Sequence, residues 1–208
     1  MQKVTGLKLY NNRNGSNPKR VRMFLAEKGL EVDLEPVSFA KLEHRSAEFR
    51  AKNPMATLPM IELDDGTIIT ESYAICRYLE DLYPEPNLFG ETPLERAQIE
   101  MWNRRIEFDV ANYITMIMKH TGEFFAPVIT QVPEYADACR TDLMKKYDWL
   151  NEELGTRDYI AGDRFTVVDI TAYGRIGMRD SANADWRDDH TNLQAWWDRI
   201  SARPSADA

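Results

Sequence analysis

ATLPMIELDDGTIITESYAICRYLEDLYP, residues 56–84, is the stretch that decides the fold. Pro59 to Leu63 is a short apolar run, Asp64-Asp65-Gly66 follows, and Thr67 to Thr70 is a second run rich in β-branched residues. Asp-Gly between two such runs signals a hairpin, because the turn needs a residue that tolerates positive φ. From Ser72 the period changes. Ile75, Leu79 and Leu82 recur at helical spacing, so Ser72 to Leu82 reads as a helix.

Upstream, strand and helix signals alternate. Leu7 to Tyr10 is a short strand. Pro18 to Lys28 is a helix with Val21, Phe24 and Leu25 on one face and Lys19, Arg20, Arg22 and Lys28 available to solvent. Gly29 suits its C-terminal stop. Glu31 to Val37 alternates as a second strand, and Ser46 to Ala51 suggests a short helix before Asn53-Pro54. The order β-α-β-α-β-β-α predicts a mixed sheet covered by helices.

Downstream, PEPNLFGETP, residues 84–93, holds three prolines and a glycine and reads as a linker. Beyond it every periodic segment is helical. Leu94 to about Thr121 reads as one long helix. Pro133 to Leu154 is another, stopped by Gly155, and Val167 to Met178 and Asn192 to Ala202 complete the set.

Composition narrows the function classes. At 208 residues with 43% hydrophobic and 29% charged, the chain is globular rather than disordered. A net charge of −8 argues against nucleic acid, which needs a basic surface. No apolar run approaches the roughly 20 residues that span a bilayer. The opening MQKVTGLKLY has no long apolar h-region, so a cytoplasmic protein is expected. Cys76 and Cys139 form no CxxC and sit among apolar neighbours, and no Cys/His cluster has metal-ligand spacing, so no metal is expected.

Three segments carry possible chemistry. Asn17-Pro18 suits a helix start, with Asn as N-cap and Pro at the first helical position. The same helix end also suits an anion such as a thiolate, to which Ser16 or Asn17 would donate. Pro59 opens a strand. A trans edge proline accounts for it, and so does a cis Leu58-Pro59 peptide that presents the Leu58 N–H and C=O to an extended ligand. Glu71-Ser72 reads either as a helix cap or as a polar pair for an amino-acid head group. In the second reading Glu71 takes the ammonium and Ser72 the carboxylate.

Together with NPKRVRMFLAEKGLEV, residues 17–32, these segments resemble the cytosolic glutathione transferase family over nearly the whole chain. The resemblance implies a thioredoxin-like α/β domain over 1–83, a linker over 84–93 and an all-helical domain over 94–208 that completes the electrophile site. It implies glutathione as co-substrate. Leu58, before a cis Pro59, would pair through its backbone with the cysteinyl part. Glu71 and Ser72 would hold the γ-glutamyl end. The loop Leu42-Glu43-His44-Arg45-Ser46-Ala47-Glu48-Phe49 resembles one whose basic residues reach the glycyl carboxylate, with His44 the first candidate and Arg45 the second. Gly162-Asp163-Arg164-Phe165-Thr166-Val167-Val168-Asp169 resembles the family's capping motif, in which Thr166 caps a helix and Asp169 returns a bond.

The thiol loop departs from the family pattern. The common serine position falls on Gly15, with Ser16 one residue late, and Asn17 falls where members resembling the nu class place a sulfur-contacting Asn. Ser16 and Asn17 both stay open as the catalytic group, and Tyr10 reads as structural. The implied activity is transfer of glutathione to a small hydrophobic electrophile held between the loop and the long helix. Phe108, Tyr113 and Met116 are the candidate lining residues. Alternatives on the same fold are a disulfide reductase, an aryl-ether cleaving enzyme, a dehalogenase or an isomerase. Non-catalytic alternatives are a ligand carrier and an interaction module. The family habit implies a homodimer, with Arg77 a candidate interface residue, and no partner in nucleic acid or membrane.

Overall fold

The computed structural model describes all 208 residues. They form two compact units: Met1–Leu88 with Pro204–Ala208, and Phe89–Arg203.

Unit 1 is built on a four-stranded sheet of order β2-β1-β3-β4, with β1 Gln2–Asn11, β2 Leu30–Pro36, β3 Met60–Leu63 and β4 Ile68–Thr70. β1 and β2 are parallel, while β3 runs antiparallel to both β1 and β4. This is the expected thioredoxin-like arrangement. The hairpin forms at Asp64-Asp65-Gly66, where Gly66 takes φ 84° and the Asp65 carboxylate accepts from the Thr67 amide at 2.9 Å. β1 is longer than the apolar pattern predicts, because a register irregularity between Lys3 and Lys8 breaks its alternation.

Three helices cover this sheet: α1 Ser16–Glu27, α2 Ala47–Lys52 and α3 Ser72–Leu82. Met60 and Ile61 are adjacent and both buried, so the sheet is covered on both faces. Phe49 of α2 packs with Met60, Leu58 and Val37, and Tyr10 borders that cluster. Leu9 and Ile61 pair across the strands and point the other way. Ser46 caps α2 by accepting from the Phe49 amide at 3.1 Å.

Two of the four basic residues expected in solvent on α1 are buried. Arg20 is 5% exposed and Lys28 7%. The Lys28 ammonium lies 2.6 Å from the Glu80 carboxylate and donates to the carbonyls of Tyr83, Pro84 and Pro86. It thus satisfies the free carbonyls beyond α3, which a helical wheel of α1 cannot reveal.

The start of α1 also differs from expectation. Gly15, not Asn17, is the N-cap, without a side-chain cap bond, so Ser16 and Asn17 are the first two helical residues. A Cβ on Gly15 would stand 2.8 Å from the Pro18 ring. That contact requires glycine at the cap. Pro18 is tolerated in the first turn because N–H groups there have no helical acceptor.

Unit 2 is helical: α4 Pro93–Ile106, α5 Asn112–Thr121, α6 Pro133–Leu154, α7 Val167–Ile176, α8 Arg179–Ala182 and α9 Thr191–Ser201. The single long helix expected from Leu94 to Thr121 is interrupted by a π-turn at Glu107–Ala111. The chain stays helical through it, but the wider turn shifts the faces of the residues beyond. α7 is buried over all but one of its residues and forms the centre of the unit. No helix is long and apolar enough to cross a membrane.

Candidate functional site

Strand register gathers the predicted residues of unit 1. Tyr10 pairs with Met60, Met60 pairs with Thr70, and Asn11 pairs with Pro36. The C-terminal ends of β1, β2 and β4 and the N-terminal end of β3 therefore share one edge of the sheet. From that edge leave the loop into α1, the loop bearing His44, the turn ending in Pro59, and Glu71-Ser72 at the start of α3. The carboxyl ends of parallel strands and the N-termini of the helices that follow are the usual ligand side of such a sheet.

Each segment is held by identifiable contacts. The guanidinium of Arg22 donates to the Asn11 side chain at 2.6 Å, the Asn12 carbonyl at 3.1 Å and the Arg13 carbonyl at 2.9 Å. The Asn12 side chain donates to the Val37 carbonyl at 2.8 Å and accepts from the Asn14 amide at 3.0 Å. The loop is thus pinned before Ser16 and Asn17, which are both half-buried. Burial pushes the pKa of both Lys19 and Arg22 below the usual ranges, with the charge of Arg22 adding to the effect on Lys19 and that of Arg13 to the effect on Arg22. This helix end is electropositive through both its dipole and its side chains.

The Leu58-Pro59 peptide is cis. The ladder begins at Met60, which leaves the Leu58 backbone outside it. The Asn53 side chain holds the preceding turn by donating to the Thr57 carbonyl at 2.8 Å.

At the third segment Glu71 has φ 66° and ψ 112°, a costly region for a residue with a Cβ. Its side chain is exposed and makes no capping bond. Leu42 and Ala56, also at positive φ, lie in the loops of the same edge. Three of the four non-glycine residues at positive φ thus gather at this edge, the fourth being Asn183 at the end of α8, and such clustering marks functional loops. Ser72 is the first residue of α3 and is 4% exposed. Its hydroxyl oxygen accepts from Arg20 Nη1 at 2.9 Å. The sequence reading missed Arg20, whose partner lies 52 residues away.

His44 is buried rather than a surface loop residue. Its ring meets Phe39 edge-on at 5.0 Å, and its Nδ1 has no hydrogen-bond partner. Burial, then Arg45 and Arg50, push its pKa below the usual histidine range, which favours the neutral ring. Arg45 is exposed.

Tyr10 is structural, as expected. Its hydroxyl donates to Glu62 at 2.5 Å and accepts from Lys52 at 2.8 Å. Lys52 also pairs with Glu62, raising the lysine pKa and lowering that of the carboxylate. Cys76 is fully buried and its thiol is pushed up to about 12, chiefly by burial, so it is no nucleophile.

In unit 2 the three candidate electrophile contacts differ in setting. Phe108 sits in the π-turn, 64% exposed, with Arg104 over its ring at 6.0 Å. Tyr113 and Met116 are half-buried on α5. Tyr113 lines a surface cleft with Trp149, Arg105 and Lys146, to which neither Phe108 nor Met116 contributes.

The capping motif forms in full. Thr166 caps α7 and Asp169 returns a bond to the Thr166 amide at 2.9 Å. Asp169 is completely buried and also accepts from the Ile160 amide at 3.0 Å and the Trp196 indole at 2.9 Å. Burial raises its carboxyl pKa against the pull of these donors.

Known proteins share this architecture. Residues 16–82 match the family model described as glutathione S-transferase, N-terminal domain, and residues 110–204 match glutathione S-transferase, C-terminal domain. Glutathione S-transferase 2 of Saccharomyces cerevisiae is 33% identical over 95% of this chain and 86% of its own length. A solved glutathione S-transferase domain-containing protein of Marinobacter aquaeolei VT8 is 40% identical, with TM-score 0.90 over 95% of this chain and 98% of its own. The β-etherase LigF of Sphingobium sp. strain SYK-6 is 25% identical, with TM-score 0.85 over 97% of each chain.

Proposed function

This chain belongs to the glutathione S-transferase family and is a glutathione S-transferase-like enzyme, and we propose that it binds glutathione along the loop edge of the unit 1 sheet and activates its sulfur as a thiolate. The observation that carries this reading is the strand register. It brings the Leu58 backbone, the Glu71-Ser72 pair and the start of α1 to one edge. In this reading Leu58 pairs through its backbone with the cysteinyl residue, and the cis Pro59 shapes that segment. Glu71 takes the γ-glutamyl ammonium and Ser72 the γ-glutamyl carboxylate. His44 meets the glycyl end as a neutral ring that donates a hydrogen bond.

The sulfur lies at the start of α1. A free cysteine thiol titrates near 8.5, and a shift of about two units toward neutrality needs roughly 2.7 kcal/mol of preference for the thiolate. The helix dipole contributes about 0.3 to 1 kcal/mol. A hydrogen bond to the charged sulfur adds about 1.5 to 3 kcal/mol. The donor is Ser16 or Asn17, the first two residues of that turn. The thiolate then attacks an electrophilic carbon. A C–S bond forms, the leaving group departs with its electron pair, and no proton is taken from the enzyme. Phe108, Tyr113 and Met116 are the proposed contacts for the electrophile.

Thiolate absorbance of bound glutathione against pH tests the donor. We expect Ser16→Ala or Asn17→Ala to raise the bound thiol pKa by about one unit, the loss of one charged hydrogen bond. If neither variant moves it, the proposed activation is wrong.

The likeness to LigF favours a second reading of the same site, in which the leaving group is a phenolate and the bond broken is an aryl ether. A panel of aryl halides, aryl ethers and mixed disulfides separates the two, and turnover of the disulfides alone would refute both. We also propose a homodimer, with α3, which carries Arg77, and the helix that starts at Pro93 meeting the partner. Sizing should give twice the 24.1 kDa chain mass, and a single-chain mass would refute the dimer.

A further inference from the structure

We infer that Arg20 is a positioning residue of the proposed glutathione site, setting the Ser72 hydroxyl as a donor so that the site selects a carboxylate over a group that itself donates. The inference rests on the glutathione reading and deepens it.

Arg20 and Ser72 are both buried, and Arg20 Nη1 lies 2.9 Å from Ser72 Oγ. A guanidinium has donors only and does not lose its proton in proteins. A hydroxyl has one donor and two lone pairs. Ser72 Oγ therefore accepts from Arg20, and its own proton must go elsewhere. In mid-helix a hydroxyl can donate to the carbonyl four residues back, as Thr115 does to Ala111 and Thr121 to Ile117. Ser72 opens α3, so no helical carbonyl lies four residues before it. The backbone N–H groups of that first turn also lack helical acceptors.

Apart from the exposed Glu71 carboxylate, assigned to the ammonium, the polar groups at this helix end thus donate: the hydroxyl, the first-turn amides and, behind them, the guanidinium. A ligand that fits must bring acceptors, and a carboxylate brings two oxygens and a charge that the buried guanidinium attracts. The γ-glutamyl carboxylate of glutathione meets that demand. A primary carboxamide in its place carries no charge and turns an N–H₂ toward a ring of donors.

The test is calorimetric binding of glutathione and of the analogue whose γ-glutamyl α-carboxylate is a carboxamide. The proteins are the parent, Arg20→Lys, Arg20→Gln, Arg20→Met, and Ser72→Ala with and without Arg20→Met, each checked for folding by thermal melting. The parent should prefer glutathione by about 100-fold. Arg20→Gln and Arg20→Met should cut that preference by roughly tenfold, the loss of one charge-assisted interaction. Arg20→Lys should keep it, since an ammonium also only donates. In the Ser72→Ala background, Arg20→Met should change the preference several-fold less than it does in the parent, because only the direct attraction between guanidinium and carboxylate is left to lose.

An unchanged preference in Arg20→Gln, or an equal change without the Ser72 hydroxyl, would overturn the inference. If the glutamine and methionine variants do not fold, the parent still decides: binding the carboxamide as tightly as glutathione would overturn it. A parent that binds neither ligand refutes the glutathione reading itself.

Discussion

Asp169→Ala should destabilise the chain by about 3 to 5 kcal/mol, the range seen when one partner of a buried charged network is removed. Asp169 is the acceptor for the Ile160 amide, the Thr166 amide and the Trp196 indole, and all three contacts are buried. Each donor left without an acceptor in an apolar interior costs about 1 to 3 kcal/mol. The loss spreads, because those donors belong to three places in the unit: the turn before the cap, the cap of α7 and the middle of α9. Trp196 is fully buried, so its indole N–H has no route to water. For a chain of this length the melting temperature should fall by roughly 10 °C. Asp169→Asn keeps one oxygen acceptor and should lose about half as much, since its second position becomes a donor. Urea titration of the three proteins checks the order. Equal midpoints for Asp169→Ala and the parent would show that this network contributes nothing.

The largest functional effect is expected at Ser72. Ser72→Ala removes a hydroxyl donor to a charged carboxylate, worth about 1.5 to 3 kcal/mol, so glutathione should bind roughly 10- to 150-fold more weakly. Titration calorimetry reads this directly. The same change removes one acceptor of the buried Arg20 guanidinium, so a modest fall in melting temperature should accompany it. Binding at the parent affinity would remove Ser72 from the site.

Much of this was legible because the signals are local. The Asp64-Asp65-Gly66 turn, the Ser72 to Leu82 period and the Thr166–Asp169 box each lie within a few residues, and each formed where the pattern placed it. What the pattern missed depends on contacts between distant residues. Arg20 and Lys28 look solvent-facing on a wheel of α1, yet their partners come from residues 72 to 86. Gly15 reads as a gap in the thiol loop. Its reason is steric, a Cβ position filled by the Pro18 ring, and only coordinates reveal it. The π-turn at Glu107–Ala111 breaks a helix that the hydrophobic period carries straight through. The return of Pro204–Ala208 to unit 1, where Ser205 bonds Glu27, has no local marker at all. Among the candidate groups, Ser16 and Asn17 open the same helical turn, and the absorbance titration of their alanine variants separates them.

The most direct measurement is titration of glutathione into the parent chain, with heat and thiolate absorbance followed together across pH. The account predicts saturable binding of one glutathione per chain. It also predicts a thiolate signal that develops about two units below the free cysteine thiol near 8.5. No saturable heat, or a bound thiol that titrates where the free one does, would contradict it.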